Sequence, residues 1–364
     1  MHTVFLCGDV MTGRGIDQIL PCPSKPELHE CYVNSAIEYV DMARRSTGTI
    51  PKAVNFSYIW GDALAELESV SPAARIINLE TSITASEGWV PKGINYRMNA
   101  ANTPCLAAAK IDCCVLANNH VLDWGRAGLR ETLLSLKTAG IGTAGAGMNR
   151  IEAVRPCARE GILVFAFATG DSGVPSDWGA TDTAPGIALL PNLSDDTADN
   201  VAAEISAVRR PGDIAIVSLH WGGNWGYEIH RGQRSFAHRL IDAGAADIIH
   251  GHSSHHPKAI EVYRNKPILY GCGDFLNDYE GIAGFEEFRS HLVLMYFVTL
   301  DAATRNLVRL EMTPFEIRQF RLRSASRADA RWLSETLDRE GQQFGIRTKL
   351  RDDNRLDLEW PAGA

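Results

Sequence analysis

With 364 residues, 45% of them hydrophobic and 22% charged, the chain is long enough for one large α/β domain or two ordinary ones with a sizeable core. A formal net charge of −8 leaves no basic stripe of the kind a nucleic-acid groove needs, which excludes nucleic acid as a partner. The opening "MHTVFLCGDVMTG" has no basic region followed by a long apolar run, and no stretch reaches the roughly 18 apolar residues of a spanning helix. A cytoplasmic chain without a membrane anchor is therefore expected; its oligomeric state is not legible.

The first element, "TVFLCGDV", reads as a buried strand ending at Gly8-Asp9. Residues 21–51, with "PCPSKPELHE", read as an insertion near the mouth of that strand, and Asp17 just before it reads as an exposed helix residue. "ARIINLET" is a second strand ending at Glu80, and "DCCVLANNH" a third ending at Asn119-His120. "RAGLRETLLSLKTAGI" carries apolar residues at helical spacing, and the following "GTAGAG" is a plain turn into a strand, since it lacks the Lys-Ser/Thr of a phosphate loop. "GILVFAFAT", "DIAIVSLHWG" and "ADIIHGH" are further strands, separated by the helical stretches "DTADNVAAEISAVRR" and "SFAHRLIDAGA". "KPILYGCGDF" reads as one strand ending at Asp274. After about Leu292 come strand-like "LVLMYFVTL" and "NLVRLEMTPFEIRQFRL", then a charged helical tail. Strand–helix alternation argues α/β. The expected organisation is one main domain over residues 1–291, with residues 292–364 as a β-rich and then helical extension packed on it.

The apolar runs are nearly continuous, as in strands buried on both faces. Their polar residues recur at the carboxyl ends, where layered α/β folds bind ligands. Asp9, Glu80, Asn119, His120, His220, His252 and Asp274 are thus expected to converge on one site. Four of the eleven histidines fall between Asp247 and Glu261. Carboxylates and amide oxygens suit hard divalent cations, and imidazole suits transition ions, so this mixture is a plausible shell for one or two divalent metals. The eight cysteines show no CxxC spacing and read as free thiols, most of them buried.

The ordered motifs "GDVMTGRG", "NLET", "NNHVLDWG", "HWG", "GHSSH" and "HPKAIEVYRNKPILYGCGDF", from Val4 to Phe275, resemble those of the CapA, or poly-γ-glutamate biosynthesis protein, family. That family has the calcineurin-like metallophosphoesterase fold, so the resemblance implies a four-layer α/β/β/α sandwich. It also implies a divalent ion (Ca, Mn, Mg or Zn) and no organic cofactor. Carried over residue by residue, it implies Asp9, Glu80, Asn119, His220, His252 and His255 as metal ligands. His120 would be a catalytic acid/base, and Asp9, Asp123, His256 and Asp274 further members of the proton-transfer set. The chain departs from the phosphoesterase pattern where Met11 replaces the histidine of DxH, Glu80 the bridging aspartate, and GHSSH the usual GHxH.

Several residues stay open on this reading. Asp123 either orients His120 or caps a helix. Arg14 either holds a substrate carboxylate or phosphate, or pairs with Glu80. Trp221, Trp225 and Tyr227 form an aromatic pocket wall, or two of the three are core. His250 flanks the paired histidines as a substrate-binding candidate, and His291 faces either site or core. The missing anchor and missing DxH histidine turn the functional expectation toward metal-dependent His/Asp acid–base chemistry on a peptide or polyamide. Cα epimerisation in a ribosomal, lasso-type peptide comes first. A poly-γ-glutamate or capsule accessory protein and a metal-dependent phosphoesterase are the alternatives.

Overall fold

From Val4 onward, β1 (His2–Val10) is buried on both faces, which is why it reads as an unbroken apolar run. In the computed structural model, which describes residues 1–361 and 363, β1 lies inside the larger of two main sheets. On one side of it follow the parallel strands β2 (Ala74–Leu79), β3 (Cys113–Val115) and β4 (Gly142–Ala144). The chain then builds a second sheet from β5 (Ile162–Thr169), β6 (Ile214–His220), β7 (Ile248–His252), β8 (Ile260–Tyr263) and β9 (Lys266–Leu269), in the order β5-β6-β7-β9-β8. It returns to the first sheet with β10 (Asp274–Leu276), β11 (Leu292–Leu300), β12 (Leu307–Ile317), β13 (Arg347–Leu350) and β14 (Leu356–Glu359). The architecture is mixed α/β.

Side chains of the second sheet alternate between two apolar layers, as the period of two demands. Ile162, Val164, Ala166, Ile214 and Ile216 join the core of the first sheet. The intervening Leu163, Phe165, Phe167, Ala215, Val217 and Leu219 pack with Phe236 and Leu240 of the helix Arg231–Asp242 and Val201 and Ile205 of the helix Asp195–Val208. At roughly 1.5–3 kcal/mol per large side chain removed from water, these two layers supply the main drive for sheet and helix assembly.

Two sequence expectations change. "KPILYGCGDF" is two strands in different sheets, β9 against β7 and β10 against β1. The break lies at Gly271-Cys272-Gly273, where Gly273 adopts φ +77° and the backbone passes so close to β1 that a Cβ on Gly8 would lie 1.6 Å from the Gly273 carbonyl oxygen. Only glycine fits such an approach. Residues 292–364, expected as an extension, build half of the first sheet: β11 runs antiparallel to β1 from His2 to Leu6.

The insertion carries the helix Ala36–Thr47, whose N-cap Ser35 side chain accepts from the Ile37 N–H. Asp17, expected to be exposed, is fully buried, because the Ser24 and Asn99 N–H groups and the Asn102 amide all donate to its carboxylate. Among the described residues no helix is long and apolar enough to cross a membrane.

Candidate metal centre

Five strand ends and two loops meet at one edge of the paired sheets. β1 brings Asp9, and β2 brings Asn78 with Glu80 just beyond it. The turn after β3 carries Asn118, Asn119 and His120, β6 ends at His220, β7 ends at His252, and β10 begins at Asp274. Parallel pairing sets the rows: Asp9 is in register with both Asn78 and Asp274, and His220 with His252.

Asp9 is the hub. Its Oδ1 accepts from the Asn78 amide at 2.7 Å and its Oδ2 from the Ser253 N–H at 3.3 Å, with His252 Nδ1 at 3.9 Å. Single ligand atoms of Asp9, His220 and His252 lie within 4.8 Å of one another, and so do those of Asp9, His255 and Asp274. His220 Nδ1 and His252 Nδ1 are 2.8 Å apart, and Asn119 Oδ1 sits 3.0 Å from His220 Nε2. On the far side of His252, Ser218 Oγ lies 2.8 Å from Nε2 and fixes the ring. Asp274 faces His255 Nδ1 at 2.9 Å and accepts from the Asn277 amide at 2.7 Å.

The electrostatics favour a cation. Burial first, then the charge of Asp274, push Asp9 up to about 7. Burial followed by the charge of Asp9 raises Glu80. His220 and His252 are lowered, first by burial, which keeps them neutral and ready to coordinate. For His255 burial works downward, but the Asp274 carboxylate outweighs it and the imidazole titrates above its ordinary value. Two donor groups that share the buried Asp9 carboxylate, one with the neutral imidazoles of His220 and His252 and one with His255 and Asp274, have the chemistry of a divalent-ion site, with Glu80 beside them.

His120 stands beside this set, with Nε2 3.7 Å from Glu80 Oε1 and Nδ1 2.7 Å from Asp123 Oδ2. The same Asp123 oxygen accepts from the Tyr96 N–H at 2.6 Å, so the carboxylate is fixed and orients the imidazole. Burial lowers His120 to about 4 against the pull of Asp123. Asp123 therefore takes the orienting role, while the helix Gly125–Thr138 begins without a side-chain cap.

Three substrate-binding expectations fail. Arg14 is 3% exposed, with both donor edges consumed by Asp278, Glu30 and the Tyr39 hydroxyl; it pairs with neither Glu80 nor anything in the opening. Trp221 belongs to the core of the second sheet, its Nε1 donating to the Tyr270 carbonyl at 2.9 Å. His250 is fully buried, with one nitrogen 3.0 Å from Ser218 Oγ and the other 2.7 Å from the Cys7 carbonyl. Two residues before His252 on the same face of β7, it lies one step further from the strand end, and the Cys7 carbonyl of β1 closes over it.

Trp225 is half-buried, 5.2 Å from the His255 ring and stacked on Phe285 at 4.3 Å. His256, expected as a catalytic member, turns into the same aromatic cluster, 4.4 Å from Phe288 and 4.6 Å from Tyr227, and belongs to neither donor group. It is His255 that faces Asp274. His291 is exposed and lines neither site nor core.

Sequence reading missed Asn78, Asn277 and Lys92. Asn78 sits inside the quoted NLET motif, two residues before Glu80, and Asn277 lies just past GCGDF, three after Asp274; their spacing to an acid was the available signal. Lys92 comes from an irregular loop, its ammonium 3.1 Å from Asp123 and 3.2 Å from His120 Nδ1, and nothing in "VPKGIN" announces it.

Comparison with known proteins places these features in context. The family described as "Bacterial capsule synthesis protein PGA_cap" matches residues 3–279. A "Probable polyglutamine synthesis accessory protein" of Mycobacterium tuberculosis is 49% identical over 363 residues, covering 98% of this chain and 95% of the relative. The "PGA biosynthesis protein CapA" of Bacillus subtilis is 27% identical over 246 residues, covering 66% of this chain and 61% of the relative. The "Capsule biosynthesis protein CapA" of Bacillus anthracis is 28% identical over 169 residues, 45% of this chain and 39% of the relative.

Proposed function

The chain belongs to the bacterial capsule synthesis protein family PGA_cap, and on that premise we propose that it is a metal-dependent accessory enzyme in the making of a glutamate or glutamine polyamide. The substrate class rests on relatives whose names speak of polyglutamine synthesis and PGA biosynthesis. Cα epimerisation in a lasso-type peptide, the first expectation from sequence, has no counterpart among those names and gives way to the polyamide. A four-layer α/β/β/α sandwich belongs to the same reading: the helices Asp195–Val208 and Arg231–Asp242 cover one sheet, and Gly125–Thr138 packs beside the other.

The observation that carries it is Asp9, shared by two His/Asp donor groups beside an imidazole backed by a carboxylate. Asp9, His220 and His252 would hold one divalent ion with Asn119, and Asp9, His255 and Asp274 a second position with Glu80 near. When bound, such an ion supplies Lewis acidity to an amide carbonyl or acidifies water. His120, neutral at pH 7 because it is buried, presents Nε2 on the Glu80 side and moves a proton there, while Asp123 steadies Nδ1. Trp225, stacked on Phe285 and beside the His255 ring, would offer an apolar surface to the chain of the polyamide.

The test combines elemental mass spectrometry of the purified chain with incubation on defined polyglutamate and polyglutamine oligomers, against a D9A/H252A variant. Near-stoichiometric metal and a changed oligomer length, both lost in the variant, are expected. Metal uptake with turnover of generic phosphoesters alone would sink the polyamide, and no uptake at all would sink the mechanism.

A further inference from the structure

Cys113 and Cys157 lie on different sheets. Cys113 opens β3, and its register partner on β4 is Gly142. Side chains in register on neighbouring strands share a face, about 4.8 Å apart. Gly142 has no side chain, and the Cys157 sulfur occupies that space: a Cβ built on Gly142 would lie 2.4 Å from it. Cys157 itself begins the short strand Cys157–Arg159, paired with β5 of the second sheet. Its thiol therefore reaches across the boundary between the sheets to within about one strand spacing of the Cys113 side chain. Both cysteines are buried, and neither is in a disulfide.

A cavity of about 680 Å³ adjoins the pair, lined by Gly142, Thr143, Arg155 and Pro156 together with Arg130 and Lys137. Pro156 precedes Cys157 in the chain and Gly142 stands against its sulfur, so two lining residues border the buried thiol; Arg130, Lys137 and Arg155 outnumber the one lining carboxylate, Glu152, and favour an anionic visitor. The two thiols are unequal. A hydrogen bond from Cys113 holds Cys157 below the ordinary thiol range, whereas burial pushes Cys113 up.

We propose that Cys113 and Cys157 are a reversible dithiol–disulfide pair that cross-links the two sheets when a small anionic disulfide of the glutathione type enters the adjoining cavity. The Cys157 thiolate attacks one sulfur of that disulfide, whose S–S bond breaks. The other half leaves as a thiolate and takes up the proton that Cys157 gave. Cys113 then loses its proton and attacks the Cys157 sulfur, closing the intramolecular bond and releasing the second half as a thiol. Two protein S–H groups are oxidised and one small disulfide is reduced to two thiols.

The experiment uses the full chain in a C22S/C31S background, which removes the two exposed thiols. The native protein is treated with oxidised glutathione, then read by intact mass, peptide mapping and thermal melting. The expected result is loss of the mass of two hydrogen atoms, a peptide linking Cys113 to Cys157, and a midpoint raised by roughly 5 °C that dithiothreitol reverses. In the further variant C113S, the glutathione adduct should stay on Cys157. Both thiols unmodified after native oxidation, or either joined to Cys7, Cys105, Cys114 or Cys272 instead, would overturn the proposal. Should C113S not fold, C157S replaces it: Cys113 is then expected to remain free, and a glutathione adduct on Cys113 overturns the assignment of Cys157 as the attacking thiol.

Discussion

Asp9 and Asp274 stand in register on adjacent parallel strands, two buried carboxylates whose mutual repulsion is second only to burial in raising Asp9. Like charges in such a row are destabilising unless something positive lies between them. The D274N variant should therefore weaken divalent-ion binding by roughly 10–100-fold while leaving the strand pairing intact. Titration calorimetry with Mn²⁺ or Zn²⁺ reads this directly, and unchanged affinity would remove Asp274 from the donor set.

The same charges predict a pH dependence. Asp9, raised to about 7, and Glu80, raised by burial and by Asp9, keep protons in the folded metal-free chain that the unfolded chain has already released. Stability must then fall as pH rises through the folded values. His120 and His250, lowered to about 4 by burial, act on the acid side, where stability falls as pH drops below the ordinary histidine range. Between roughly pH 6.5 and 8 the carboxylates dominate, so the melting midpoint of metal-stripped protein should decline there while that of loaded protein stays flat. Scanning calorimetry of both forms across that window checks it.

His120 and Asp123 separate proton transfer from metal binding. H120A should cost roughly 10²–10⁴ in turnover of the polyamide with metal content unchanged. D123N, which retains an oxygen for the Tyr96 N–H but alters the imidazole's partner, should lose less and shift the pH profile of turnover. If H120A strips the metal as well, the residue is a ligand and the division of labour fails.

Arg14 carries a stability prediction instead of a functional one. Its guanidinium lies 3.9 Å from the centre of the Tyr39 ring and 4.5 Å from that of Tyr96, and neutralises Asp278 and Glu30. R14M leaves those two carboxylates buried and unpaired, at a cost of roughly 3–5 kcal/mol. Denaturant unfolding should show that loss, and R14M/D278N should recover part of it; equal stability of R14M and wild type would contradict the network.

The strands at the centre of the fold were legible because burial on both faces leaves continuous apolar runs, and their polar ends marked Asp9, Glu80, His220 and His252. What the sequence hid were features without local periodicity. The change of sheet at Gly271–Gly273 depends on how closely two backbones pass, and "YGCG" looks like a strand with small residues. Arg14 and Trp221 carry chemistry common in binding sites, yet their roles were decided by partners far along the chain, Asp278 and Tyr270. The choice between His255 and His256 turned on one residue of loop direction, which sends one ring to Asp274 and the other among aromatics.

The return of the chain to the first sheet has a consequence for birth as well as for architecture. β1 is made long before its immediate partners on one side, β10 and β11, which come more than 260 residues later. Contacts so distant in sequence are slow to form because a long loop must close first. A nascent chain stopped before Asp274 would lack both that carboxylate and the strand that flanks Asp9. The candidate ion site is thus a late product of synthesis, complete only when the early and late strands of the main sheet have met.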